Sequence, residues 1–295
     1  MRNKILKVII ILLASLIAIF SFVFYYFLFQ SIFKDREENT KVSVEEILDE
    51  SSIETSEIIE SEELVISDEG FEDVEEDNPS TKLEMRDVFS QFLLDYEPVS
   101  IDSIPEYSDE PYYTIDDIPH FSSLELSTDS WEYYSPLDEI GRCGVATAVL
   151  SKDMMPTEDR GSIGSIKPSG WHTIKYPDLI PDRYLYNRCH LIAYCLAGEN
   201  ANEKNLITGT RYMNVSGMFL FETMVSDYIT FTGNHVLYRV TPIFVDDELV
   251  ARGVQMEAYS VEDDGDGICF NVFVYNVQPG IEIDYSDGES RMKEK

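Results

Sequence analysis

Asn187-Arg188-Cys189-His190-Leu191-Ile192 sets a guanidinium two residues before a histidine and an apolar step directly after it. Asn205 follows within Lys204-Asn205-Leu206-Ile207-Thr208-Gly209-Thr210, then Asn214 and Glu222, at offsets of 15, 24 and 32 from His190. The other three histidines, His120, His172 and His235, have no such company. Taken singly, Asn205 and Asn214 read as turn or cap residues, Glu222 as a solvated helix-face residue and His190 as a capping or buried histidine. Only the set, in this order, points to chemistry.

Around this stretch the pattern is α+β. Residues 190–197 read as an apolar helical turn or two ended by Gly198, and residues 215–231 as a helix, with Met218, Phe221, Val225 and Ile229 at helical spacing and Gly233-Asn234 as the stop. Residues 143–150 are a strand candidate and 184–186 a short one. After the helix, residues 236–244, 249–259 and 268–277 are β-rich runs joined by Asp246-Asp247 and by Asp263-Asp264-Gly265-Asp266-Gly267, which predicts an antiparallel meander. Residues 270–277 are apolar on both alternating sets apart from the asparagines, as a strand covered on both faces would be. The Asp/Gly run lacks the alternating ligands and closing Glu of an EF-hand loop, so it reads as a hairpin turn.

Further out, charge divides the chain of 295 residues, whose 22 Lys plus Arg against 56 Asp plus Glu give −34. Taken whole, that balance argues against a polyanionic partner, since phosphate binding draws on Lys and Arg. Residues 142–211, however, hold nine bases against seven acids, so this window alone could face an anion comfortably. Residues 8–29 carry no charge and as a helix would span about 33 Å, enough to cross a bilayer core. Arg2, Lys4 and Lys7 precede the run and Asp35, Glu37 and Glu38 follow it, which predicts a cytoplasmic N-terminus and an extracellular remainder. The run is longer than a usual signal-peptide core, favouring an uncleaved single-pass anchor over residues 1–34. Residues 35–95, rich in Glu and Ser, read as an acidic disordered stalk. The folded domain is expected over residues 96–288, with 289–295 as a tail. Cys143, Cys189, Cys195 and Cys269 all lie in it without a C-x-x-C pair, which argues against a zinc ribbon.

The blocks Asp159-Arg160-Gly161, Pro168-Ser169-Gly170-Trp171-His172 and Asn187 to His190, then Asn205, Asn214 and Glu222, resemble the DNA/RNA non-specific endonucleases of the ββα-metal (His-Me finger) class, and in particular streptococcal surface and secreted DNases. Tyr238-Arg239-Val240-Thr241-Pro242, Val250-Ala251-Arg252-Gly253-Val254 and the strand sequence from Asn271 to Gly280 extend the likeness, which covers residues 110–288. The resemblance implies a ββα-metal finger core with an antiparallel sheet. The usual family motif is Asp-Arg-Gly-His; here Asn187 replaces the acid and Cys189 the glycine. Asn187 cannot supply a negative charge, and Cys189 lacks glycine's backbone freedom. A disulfide on Cys189 is one way to hold it, with Cys143 the first partner to test.

The implied chemistry is hydrolysis of DNA phosphodiesters, with RNA left open. His190, whose ordinary pKa is about 6.5, would be the general base. Mg²⁺, with Mn²⁺ as a substitute, would be the Lewis acid, held through the Asn214 amide oxygen. Glu222 lies about 12 Å of helical rise beyond Asn214. Either Asn214 precedes the helix and folds back, or Glu222 works through coordinated water, the favoured reading. Arg188 would hold the phosphate, and Asn205 would fix the site's loop or the orientation of His190. Arg160 and Arg211 are further candidates for backbone contacts. A module that has kept the fold and binds nucleic acid or another ligand without cutting is the alternative, and no protein partner is deducible.

Overall fold

The computed structural model describes residues 96–122 and 125–294. The expected anchor at 8–29 and the stalk at 35–95 lie outside them. Among the described residues no helix is long and apolar enough to cross a membrane.

The framework is a six-stranded antiparallel sheet. Its strands are β1 (Tyr112–Asp116), β2 (Trp131–Tyr134), β3 (Ala146–Leu150), β6 (Val236–Ile243), β7 (Gly253–Ser260) and β8 (Cys269–Tyr275), in the order β1-β8-β7-β6-β3-β2. The meander expected after the helix is β6-β7-β8. Its second turn is made by Asp264 and Gly265, both at positive φ, 53° and 82°, as a tight Asp-Gly hairpin demands. The first connection is longer than expected, because β7 starts only at Gly253. An added Cβ there would lie 2.4 Å from the Val274 carbonyl oxygen, so only glycine lets β8 approach.

One face of the sheet carries Ala148, Val236, Tyr238, Val240, Met256 and Val272, on which the helix α2 (Phe219–Thr232) lies. Its apolar buried residues are Phe221, Val225 and Ile229, which with Met218 just before it are the four whose spacing predicted the helix. Each fully buried side chain of this kind contributes about 1.5–3 kcal/mol. Gly233, left-handed at φ 75°, closes the helix as expected. The other face is covered by the segment before β1: Val99, Ile101, Ile104 and Tyr107 pack on Ile243, Phe273 and Tyr275. With both faces covered, β6 is buried at every residue and β8 at all but its first.

A separate antiparallel pair, β4 (Tyr186–His190) with β5 (Leu206–Thr210), leads into the helix. Sequence reading expected helix from residue 190. Instead His190 ends a strand, and only α1 (Tyr194–Ala197) is helical before Gly198 caps it at φ 67°. Pairing with Leu206 to Thr210 satisfies the backbone of residues 186–190 and overrides the local apolar pattern. The last pair, β9 (Ile281–Ile283) with β10 (Ser290–Met292), draws the expected tail into the fold. The Tyr176 and Ser290 hydroxyls, 2.8 Å apart, help hold it.

Candidate functional site

His190 ends β4 and is only 6% exposed. Its Nε2 lies 2.8 Å from the Asn200 carbonyl oxygen and its Nδ1 lies 3.2 Å from Arg160 Nη2. A carbonyl oxygen can only accept and a guanidinium can only donate. The proton therefore sits on Nε2, and the Nδ1 lone pair faces Arg160. Burial is the main reason the ring's pKa falls to about 4; the Asn200 carbonyl opposes that shift and the Arg160 charge adds to it. His190 is thus a neutral, oriented acceptor across the neutral range.

The Asn200 contact was not legible in advance, because a backbone carbonyl leaves no residue-type signal. Gly161 lies against the Asn200 side chain, where a Cβ would meet Nδ2 at 2.7 Å and the carboxamide would have to turn aside.

Arg160, a secondary candidate in the sequence, is the guanidinium that reaches the histidine. Arg188 does not take that place. Its Nε donates to the Ile166 carbonyl, its Nη2 to the Gly164 carbonyl at 2.8 Å, and its guanidinium stacks 4.0 Å from the Trp171 ring centre. Those contacts pin the loop of residues 164–171 and are what Arg188, the expected phosphate holder, makes in this arrangement. Arg211 pairs with Asp182 at 2.8 Å, and its backbone N–H donates to the Leu185 carbonyl.

Asn205 clamps the loop that follows His190. Its Oδ1 accepts from Ile192 N at 2.8 Å, its Nδ2 donates to the Ile192 carbonyl at 3.0 Å, and its own carbonyl accepts from Leu191 N. Of its two expected roles, the contacts are those of loop fixation.

The helical run is continuous from 211 to 232, so Asn214 does not precede it and fold back. Instead Met213–Met218 is a π turn, with the Phe219 N–H donating to the Asn214 carbonyl. One extra residue in a turn makes eight residues span about two turns, so Asn214 and Glu222 share a face. Gly217 permits this wide turn to lie on the sheet, because a Cβ there would meet Val274 Cγ1 at 2.3 Å. The Asn214 carboxamide is half-buried and hydrogen-bonds none of the described residues. Glu222 is buried, and burial raises its pKa to about 8 against the opposing charge of Arg160. The same guanidinium thus acts on His190 and Glu222, which brings these three residues together.

These donors suit a hard divalent cation: a carboxamide oxygen free to bind, with a carboxylate on the same helical face. Among the described residues no three His, Cys, Asp or Glu side chains cluster to hold a metal by themselves. An ion here would keep most of its water, as Mg²⁺ does.

The two departures from the family motif have local consequences. Asn187 is half-buried on β4, opposite Gly209. Cys189 is a buried free thiol, as is Cys143, so the disulfide raised as one way to hold Cys189 is not formed. Cys143 Sγ instead donates to the Leu206 carbonyl at 3.2 Å. Cys189 occupies space that Gly209 leaves: a Cβ on Gly209 would meet Cys189 Sγ at 2.4 Å and Met213 Cε at 2.5 Å. Gly209→Ala is expected to destabilise the domain by about 1–3 kcal/mol. Adding Cys189→Gly should restore much of the lost melting temperature. A double variant no more stable than Gly209→Ala would refute this exchange of volume.

Residues 122–262 match the family model for DNA/RNA non-specific endonuclease. The fold is similar to that of NucA from Streptococcus agalactiae. The magnesium-bound NucA structure aligns with a TM-score of 0.57 and 24% identity over 72% of this chain and 96% of that one. The metal-free NucA structure gives 0.56 and 22% over 74% and 99%. Sda1 nuclease with a bound zinc ion gives 0.52 and 26% over 62% and 97%.

Proposed function

We propose that this chain, whose residues 122–262 match the DNA/RNA non-specific endonuclease family model, is a metal-dependent nuclease in which His190 is the general base, Arg160 the phosphate-binding cation and Asn214 the protein ligand of a Mg²⁺ ion. The observation that carries this reading is the His190 Nδ1 lone pair, aimed at Arg160 by the Nε2 contact with the Asn200 carbonyl.

A phosphodiester reaching Arg160 offers it anionic oxygens, stronger partners than a neutral imidazole. As the guanidinium turns to them, Nδ1 is uncovered. A water placed there gives its proton to Nδ1 while its oxygen bonds to phosphorus and the ester bond to the leaving oxygen breaks. The Asn200 carbonyl then faces a protonated ring and stabilises it. Glu222 accepts a hydrogen bond from water in the cleft and orients it, while Asn205 keeps the loop after His190 in place. Bound Mg²⁺ would supply Lewis-acid neutralisation of charge growing on the phosphoryl oxygens.

The substrate is DNA, with RNA open. Arg160 contacts confined to phosphate carry no base information, which supports low sequence preference. The slightly basic window at 142–211 in an otherwise acidic chain supports one polyanion-binding cleft. The uncharged run at 8–29, with bases before it and acids after it, supports display outside the cell on a single-pass anchor.

Full-length protein incubated with plasmid, linear and single-stranded DNA and with RNA is expected to cut at least the DNA with Mg²⁺, to stop in excess EDTA and to resume on adding excess Mg²⁺. Asn214→Ala should raise the Mg²⁺ concentration required by about tenfold or more. Undiminished cleavage in EDTA would remove the metal from this reading. Binding without cleavage would favour the alternative of a non-cutting surface module.

A further inference from the structure

Tyr238 lies in the middle of β6 on the face that meets α2, and it is wholly buried. Its neighbours on the adjoining strands are Ala148 of β3 and Ala258 of β7. A methyl group on either side leaves a slot in which a phenol ring fits between sheet and helix. At the end of that slot the hydroxyl is buried and has no hydrogen-bond partner. Burying an unpaired hydroxyl is destabilising, so phenylalanine would serve better if packing were the whole role.

The ionisable groups whose charge reaches the phenol are Glu222 foremost and then Cys195. Cys195 is exposed on α1 and open to water. Glu222 is itself buried, and its carboxylate hydrogen-bonds none of the described residues. An orphaned donor on the sheet face under α2 and a buried carboxylate on α2 thus belong to one interface, with no hydrogen bond between them in this arrangement.

We propose that Tyr238 is a positioning residue for Glu222: its phenolic O–H donates to the Glu222 carboxylate in the working site and holds that carboxylate on its water. Tyr238 itself touches neither substrate nor metal. This inference rests on the role given to Glu222 above. No covalent step is involved, only a hydrogen bond from the phenol to the carboxylate. The two alanines belong to the same arrangement, because a larger side chain at either position would close the slot.

The test is Tyr238→Phe in the full-length protein, with Glu222→Gln alongside, measuring melting temperature together with kcat and KM on DNA with Mg²⁺. The phenylalanine variant should melt at the same temperature as the parent or higher. Its kcat should fall about tenfold or more, the effect of losing a hydrogen bond to a charged group, with KM nearly unchanged. A purely structural tyrosine would lower stability and leave kcat alone. Unchanged kcat, or a melting temperature several degrees lower, overturns the proposal. If Glu222→Gln loses activity and Tyr238→Phe does not, the tyrosine inference alone fails. If Glu222→Gln keeps full kcat, the role of Glu222 fails with it.

Discussion

His190→Ala is expected to lower kcat on DNA by about 10²–10⁴-fold, the range spanned by the loss of a positioned general base. The ring's place at the end of β4 makes this a clean experiment. The backbone of residues 186–190 is held by pairing with β5, and the loop beyond it by Asn205, neither of which uses the imidazole. Circular dichroism and melting behaviour should therefore stay close to those of the parent while cleavage disappears. What the variant leaves behind is an Asn200 carbonyl without its donor and an Arg160 without its neutral acceptor. The guanidinium is then free to hold phosphate, so substrate binding should survive, and KM should move far less than kcat. Cleavage at the parent rate would end the assignment of the base.

Arg239→Met is expected to lower stability by about 3–5 kcal/mol, the cost of leaving buried carboxylates without their cation. Arg239 is 1% exposed at the centre of the sheet face opposite α2. Its Nε donates to Glu257 at 2.9 Å, Nη1 to Glu125 at 3.0 Å and Nη2 to the His120 carbonyl at 2.6 Å. The Tyr96 ring centre lies 3.8 Å from the guanidinium carbon and that of Phe121 4.5 Å. Glu257 also accepts from the Tyr96 hydroxyl at 3.0 Å and from His120 N at 2.8 Å. One guanidinium thus ties the segment from Tyr96 to Glu125 onto β6 and β7. For a domain of this size the loss corresponds to a melting temperature lower by about 6–20 °C. Replacing Arg239, Glu257 and Glu125 together with apolar residues of similar volume should recover most of it, because no charge is then left unpaired. A single Met variant as stable as the parent would show that the network is not what holds the segment down.

Much of this protein is legible in its residues because the signals are local. The helix declares itself through Met218, Phe221, Val225 and Ile229, and its end through Gly233. The meander declares itself through three apolar runs and an Asp-Gly turn. His190, Asn214 and Glu222 stand out by type and order. What stayed hidden was non-local or had no residue-type signature. Strand β5 passed unnoticed because Leu206 to Thr210 becomes a strand only by pairing with β4, and that pairing also turned His190 from an expected helix start into a strand end. The π turn at Met213–Met218 was unreadable, since one added residue per turn depends on how Gly217 seats against Val274.

The choice between two arginines shows where that boundary lies. Arg188 is two residues from His190 and is the arginine of the resembling motif, while Arg160, thirty residues away, was a further candidate for backbone contacts. In the fold the Gly164 and Ile166 carbonyls and the Trp171 ring occupy Arg188, while the Arg160 guanidinium lies against the imidazole. Composition and pattern alone determined the α+β class and the acidic balance, and the family resemblance supplied the expected chemical cast of the site. Which guanidinium meets the imidazole, which nitrogen keeps its lone pair and which face of the helix Asn214 shares were decided only in three dimensions, because a hydrogen bond has a reach of about 3 Å and chain separation does not report that distance.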